Sequence, residues 1–120
     1  MTKAAFIKQG DAICAKVPAA YTKKVKALEA EAKKKGQKPT TAETNLKAAV
    51  PPLYVAIEEL EGLTPPEGEE QQVEAIIKSL ESAANGLEAK PEAPLAGPKS
   101  PYAEFQKLTK EYGFKVCSQL

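Results

Sequence analysis

The stretch LKAAVPPLYVAIEELEGLTPPEGEEQQVEAIIKSLESAANGL, residues 46–87, decides the fold class. Its apolar residues Leu46, Val50, Leu53, Ile57 and Leu60 step by four, three, four and three, and Val73, Ile77, Leu80, Ala84 and Leu87 repeat the pattern. A three-four alternation places every such side chain on one stripe of an α-helix, whereas a strand would alternate every second residue. Between the two seams, Gly62 ends one helix. Thr64-Pro65-Pro66-Glu67 then reads as the start of the next, with a threonine cap, proline at the first helical position and glutamate at the third. Two matched seams joined by a short turn predict two antiparallel helices. Pro51-Pro52 falls inside the first of them and is expected to bend it.

Working outward, Thr40 and Glu43 form a capping box ahead of the first seam. Upstream, Phe6, Gly10, Ile13, Val17, Tyr21, Lys24 or Val25, Leu28 and Ala32 share one face of a long helix running to about Lys35. Pro18 interrupts that helix, but the apolar phase survives on both sides, which predicts a kink and not a stop. Gly36 supplies a left-handed terminus, and Lys33, Lys34 and Lys35 suit the negative end of the helix dipole. Downstream, Lys90 to Pro101 holds four prolines and a glycine and reads as a stiff loop. Ser100-Pro101 then caps a short helix carrying Tyr102, Phe105, Leu108 and Tyr112. Gly113 closes it, Phe114 is expected to fold back onto Leu108, and residues 115–120 form an extended tail. The expectation is an all-α fold of one domain over residues 1–120, a four-helix up-down bundle with proline-kinked helices and a short fourth helix.

Composition narrows the function. The chain has no histidine, which removes the commonest general base and the commonest transition-metal ligand, and Asp11 is its only aspartate. Two cysteines without histidine fall short of the four nitrogen or sulfur ligands of a structural zinc site. No phosphate-binding glycine loop, nucleophile elbow or calcium loop is present. Glu67, Glu69 and Glu70 could attract a hard cation weakly but are more simply complements to a helix N-terminus. We therefore expect no enzyme activity and no cofactor.

Charge is segregated along the chain. Residues 1–38 carry ten lysines against three acids, residues 39–93 three against eleven, and the remainder four against two, which together give the net charge of +1. The basic part lacks arginine for bidentate phosphate or guanine contacts and has only Phe6 and Tyr21 as aromatics, so no nucleic-acid partner is expected. No apolar run approaches the roughly 20 residues of a membrane span.

Cys14 and Cys117 admit two readings: small buried hydrophobes kept reduced, or a structural disulfide. Position favours the disulfide. It would tie to the first helix a tail with few apolar residues of its own, closing a loop worth roughly 4 to 5 kcal/mol in the chain-entropy model. At 100° per residue, Ile7, Asp11 and Cys14 fall on one flank of that helix, facing the tail. Asp11 can there accept hydrogen bonds from tail amides; the alternatives are an exposed aspartate near Lys8 or a ligand contact.

A resemblance adds to this reading. Residues 6–14 (FIKQGDAIC), residues 60–69 (LEGLTPPEGE) and residues 112–117 (YGFKVC) occur in that order. Together they resemble a group of small exported bacterial proteins, often lipid-anchored, in which an early Asp-x-Ile-Cys pairs with a terminal Gly-x-x-Val-Cys. The resemblance implies an extracytoplasmic helical bundle with Cys14 bonded to Cys117. It brings no catalytic residues. The disulfide reading by itself leads to an oxidising compartment, with the export segment absent from the given chain and a removed, lipidated N-terminus as one route to membrane anchoring. The function expected is a non-catalytic protein-interaction or accessory module of the cell envelope with an unidentified protein partner. The alternative is a carrier holding a small apolar ligand between helices splayed by Pro18, Pro51 and Pro52.

Overall fold

A computed structural model describes residues 2–36, 42–89 and 100–120, with side chains described from residue 48 onward in the second segment. Thr40 of the expected capping box and the proline-rich connection over residues 90–99 lie outside the described residues, as do the side chains of Glu43 and Leu46. Among the described residues all regular structure is helical: α1 (Lys3–Lys34), α2 (Ala42–Glu61), α3 (Glu70–Ala89), α4 (Ala103–Tyr112) and a C-terminal 3-10 turn (Cys117–Gln119). Thr2 starts α1, its Oγ1 accepting from the Ala5 amide at 3.2 Å and satisfying one of the donors a helix start leaves unpaired. α1 passes through Pro18 without ending, and α2 passes through Pro51 and Pro52.

The packing forms a ring. α1 lies on α2, α2 on α3 and α3 on α4, while the 3-10 turn touches both α4 and α1. The tail thus completes the circuit between the last helix and the first. The core runs along the seams read above: Val50, Leu53, Ile57 and Leu60 of α2, and Val73, Leu80, Ala84 and Leu87 of α3, are all buried. One position of the α3 seam differs from the reading. Ile76 is buried at 6% exposure while Ile77 is half-buried, because Ile77 faces the flank where α3 meets α2 and the loop residue Leu63.

Two further details depart from the sequence reading. α3 begins at Glu70 and not at Pro65, since Gly68 adopts a left-handed φ of 85° that no continuing helix accommodates. Residues 117–119 coil into a 3-10 turn where an extended tail is expected. Phe114 packs on Phe6 and Tyr112, with ring centroids 6.0 and 5.4 Å apart. α1 is also unevenly buried. Phe6, Gly10, Ile13 and Cys14 are buried, whereas Val17, Tyr21, Val25, Leu28 and Ala32 are half-buried and Lys24 is exposed.

Candidate functional site

The polar and covalent contacts concentrate where the C-terminal turn meets the first turns of α1. Asp11 Oδ1 accepts from the Val116 amide at 2.9 Å and the Cys117 amide at 3.1 Å, and Oδ2 accepts from the Lys115 amide at 3.2 Å. Three successive N–H groups converge on one carboxylate, an anion-binding arrangement in which the anion is supplied by the chain itself. Cys14, one helical turn beyond Asp11, is disulfide-bonded to Cys117 across 103 positions of sequence. Gln106 Nε2 of α4 donates to the Leu120 carbonyl at 2.6 Å, so the turn is held from both sides.

Two glycines make this approach possible. A Cβ on Gly10 would lie 2.5 Å from the Phe114 ring, and the left-handed Gly113 (φ 115°) ends α4 while sitting against Ile7. The Phe114 ring stacks on Tyr112 and meets Phe6 edge-on. Tyr112 donates its hydroxyl to Glu69 Oε2 at 2.6 Å, and Lys3 Nζ lies 4.7 Å from the Tyr112 ring centroid. Desolvation and then the Glu69 hydrogen bond push the Tyr112 phenol above its ordinary range. Glu70 accepts from the Gly68 amide at 3.3 Å, so two of the three carboxylates at this helix start have protein partners.

Two grooves flank α2. The one shared with α1 has a volume of about 230 Å³; its walls are apolar, from Ile13, Val17, Ala20, Pro51, Pro52 and Val55, and Lys16, Lys24 and Glu59 stand on its rim. Lys16 Nζ pairs with Glu59 Oε2 at 3.3 Å, and Val55 is 53% exposed. The groove shared with α3 is about 300 Å³, floored by Leu60, Leu63, Val73 and Ile77 beneath a predominantly acidic rim. Tyr54 bridges α2 to α3 by donating to Asn85 Oδ1 at 2.7 Å, and partial desolvation together with Glu88 and Glu81 raises its pKa.

No protein-family model, curated protein or solved structure matches this chain. Among the described residues no set of three or more histidine, cysteine, aspartate or glutamate side chains gathers to hold a metal ion. Likewise among them, no helix is long and apolar enough to cross a membrane. Tyr21, Tyr54 and Tyr102 are half-buried and none stands clear as an exposed anchor.

The structure brings together Asp11, Cys14 and Cys117, the three residues singled out in the sequence. Sequence reasoning missed the Glu69–Tyr112 bond, the Tyr54–Asn85 bond and the close approach at Gly10. Only the last left a signal: a glycine at a seam position, where a large apolar residue is the rule, marks a place where something packs against bare backbone.

Proposed function

We propose that this chain is an up-down four-helix bundle, its axes bent at Pro18 and Pro51-Pro52, that works outside the cytoplasm as a non-catalytic protein-interaction or accessory module of the cell envelope. The observation that carries the reading is the Cys14–Cys117 disulfide, which joins the two ends of the fold with both cysteines at 1% exposure or less. Persistent disulfides belong to oxidising compartments. The likeness of its terminal motifs to those of exported bacterial proteins, often lipid-anchored, supports the same location. Segregated surface charge supports a protein partner, since opposed charged faces steer association without an active site.

The apolar groove between α1 and α2 favours a second reading, a carrier of a small apolar ligand. Native mass spectrometry of protein purified from its source separates the two. A reproducible protein partner lost at high salt supports the interaction module. A stoichiometric small molecule supports the carrier, and a chain that retains neither overturns both. Recovery of the protein in the cytosolic fraction with two titratable thiols overturns the proposed location.

A further inference from the structure

α1 carries a second stripe besides its buried one. Lys8, Lys23, Lys26 and Lys33 are exposed and lie on the face opposite Phe6, Gly10 and Ile13. The positions that complete the stripe at steps of three and four are Ala12, Ala15, Ala19 and Ala30, also exposed. Over residues 8–33, about 37 Å of helix, this face presents only ammonium groups and methyls. Four alanines leave no bulk to hold an opposing surface away.

The complement is on the same chain. Glu70, Glu74, Glu81 and Glu88 step by four, seven and seven along the flank of α3 that faces α2, all exposed, and Glu61 of α2 stands beside them. They span residues 70–88, about 27 Å, and the acidic-rimmed groove with half-buried Leu63 and Ile77 lies among them. The cation of this groove, Lys78, is held 3.0 Å from Glu74 in an exposed pair of small worth. A net charge of +1 means that two copies meet without long-range repulsion while each offers an unlike face to the other.

We infer that the lysine-alanine face of α1 docks onto the acidic α2–α3 flank of a second copy of this chain. The two faces belong to different sides of the molecule, because the basic stripe points away from the core and the acidic one lies beyond α2. The contact is therefore heterologous and propagates head to tail, with no closed two-fold dimer. A lipid bilayer is the less favoured occupant, since the basic stripe has no large apolar side chain to insert. This inference deepens the interaction-module reading, on which it rests, by naming one partner.

Sedimentation velocity at rising protein concentration tests it. At low ionic strength the weight-average mass climbs beyond the dimer, and raising salt from about 0.02 to about 0.5 M weakens association tenfold or more. Two triple variants give the decisive experiment: Lys23→Gln/Lys26→Gln/Lys33→Gln keeps the acidic flank alone, and Glu74→Gln/Glu81→Gln/Glu88→Gln keeps the basic face alone. Glutamine is a good helix former, so both fold, as circular dichroism checks. Each is monomeric by itself, and their mixture forms a 1:1 heterodimer that grows no further. A wild-type chain that stays monomeric at every salt concentration, or a mixture that does not pair, overturns the inference. So does a monomer that instead sediments with phosphatidylglycerol vesicles through the same lysines. None of these results removes the interaction-module reading, which stands or falls on the protein recovered from its source.

Discussion

A single carboxylate organises the C-terminal turn. Asp11 satisfies three amides that no helix or strand would otherwise pair, and hydrogen bonds to an ionised acceptor are stronger than neutral ones. Asp11→Ala should cost about 1 to 2 kcal/mol, discounted for the partly exposed site, in urea denaturation of the disulfide-bonded protein. The neighbouring Gly10→Ala sets two effects against each other. Alanine gains up to about 1 kcal/mol of helix propensity, but its Cβ must displace the Phe114 ring, and overpacking costs about 1 to 3 kcal/mol. The net outcome is a loss, relieved when Phe114→Leu is added, which a double-mutant cycle measures. Tyr102 gives a pH dependence: burial, then the adjacent Tyr21, push its phenol up to about 12 from an ordinary value near 10. The folded state holds this proton more tightly, so the contribution is fully present below pH 10 and is lost as pH rises through 12. Urea midpoints measured across that window should fall less steeply in Tyr102→Phe than in the wild type.

At the scale of the element, the prolines are the informative residues. Pro18 sits exposed inside α1, where it denies the helix one amide hydrogen bond. Pro18→Ala should stabilise the protein by about 2 kcal/mol, from roughly 3 kcal/mol of helix propensity offset by up to about 1 kcal/mol of added freedom in the unfolded chain. Thermal unfolding checks it, and an unchanged or lowered melting temperature would show that the proline geometry is built into the packing against α2. The start of α3 illustrates the reverse case. Thr64-Pro65-Pro66-Glu67 has the composition of a helix start, yet Gly68 with its positive φ and the Gly68–Glu70 contact postpone the helix to Glu70. That displacement leaves Glu69 just outside the helix, where its carboxylate receives the Tyr112 hydroxyl and secures the end of α4.

At the scale of the whole molecule, stability rests on how the ring closes. α4 has only ten residues and reaches α1 through Tyr112, Phe114 and the 3-10 turn. The disulfide links positions 103 apart, for which the chain-entropy model gives roughly 4 to 5 kcal/mol. Cys14→Ser/Cys117→Ser should therefore lose a large part of the stability of a domain this size in guanidinium unfolding. The Asp11 contacts stay available to the docked turn, so the residual stability of the double serine variant should drop again when Asp11→Ala is added. An additive loss matching that in the disulfide-bonded protein would show that the two clasps act independently.

The seams of α2 and α3, the long α1, the Asp11–Cys14 flank and the helix-ending Gly36 and Gly113 were legible because they are local. Periodicity of 3.6 residues fixes which side chains share a face, and glycine marks where the backbone turns left-handed. Asp11 was readable for the same reason, lying one turn from a cysteine whose partner is in the tail. Tertiary structure alone decided that Ile76 and not Ile77 is buried, that the tail coils, that Phe114 seats on Gly10, and that Glu69 meets Tyr112. Each depends on a partner tens of residues away in sequence, and the angle at which helices pack, not the pattern within any one of them, sets which edge of an apolar stripe is covered.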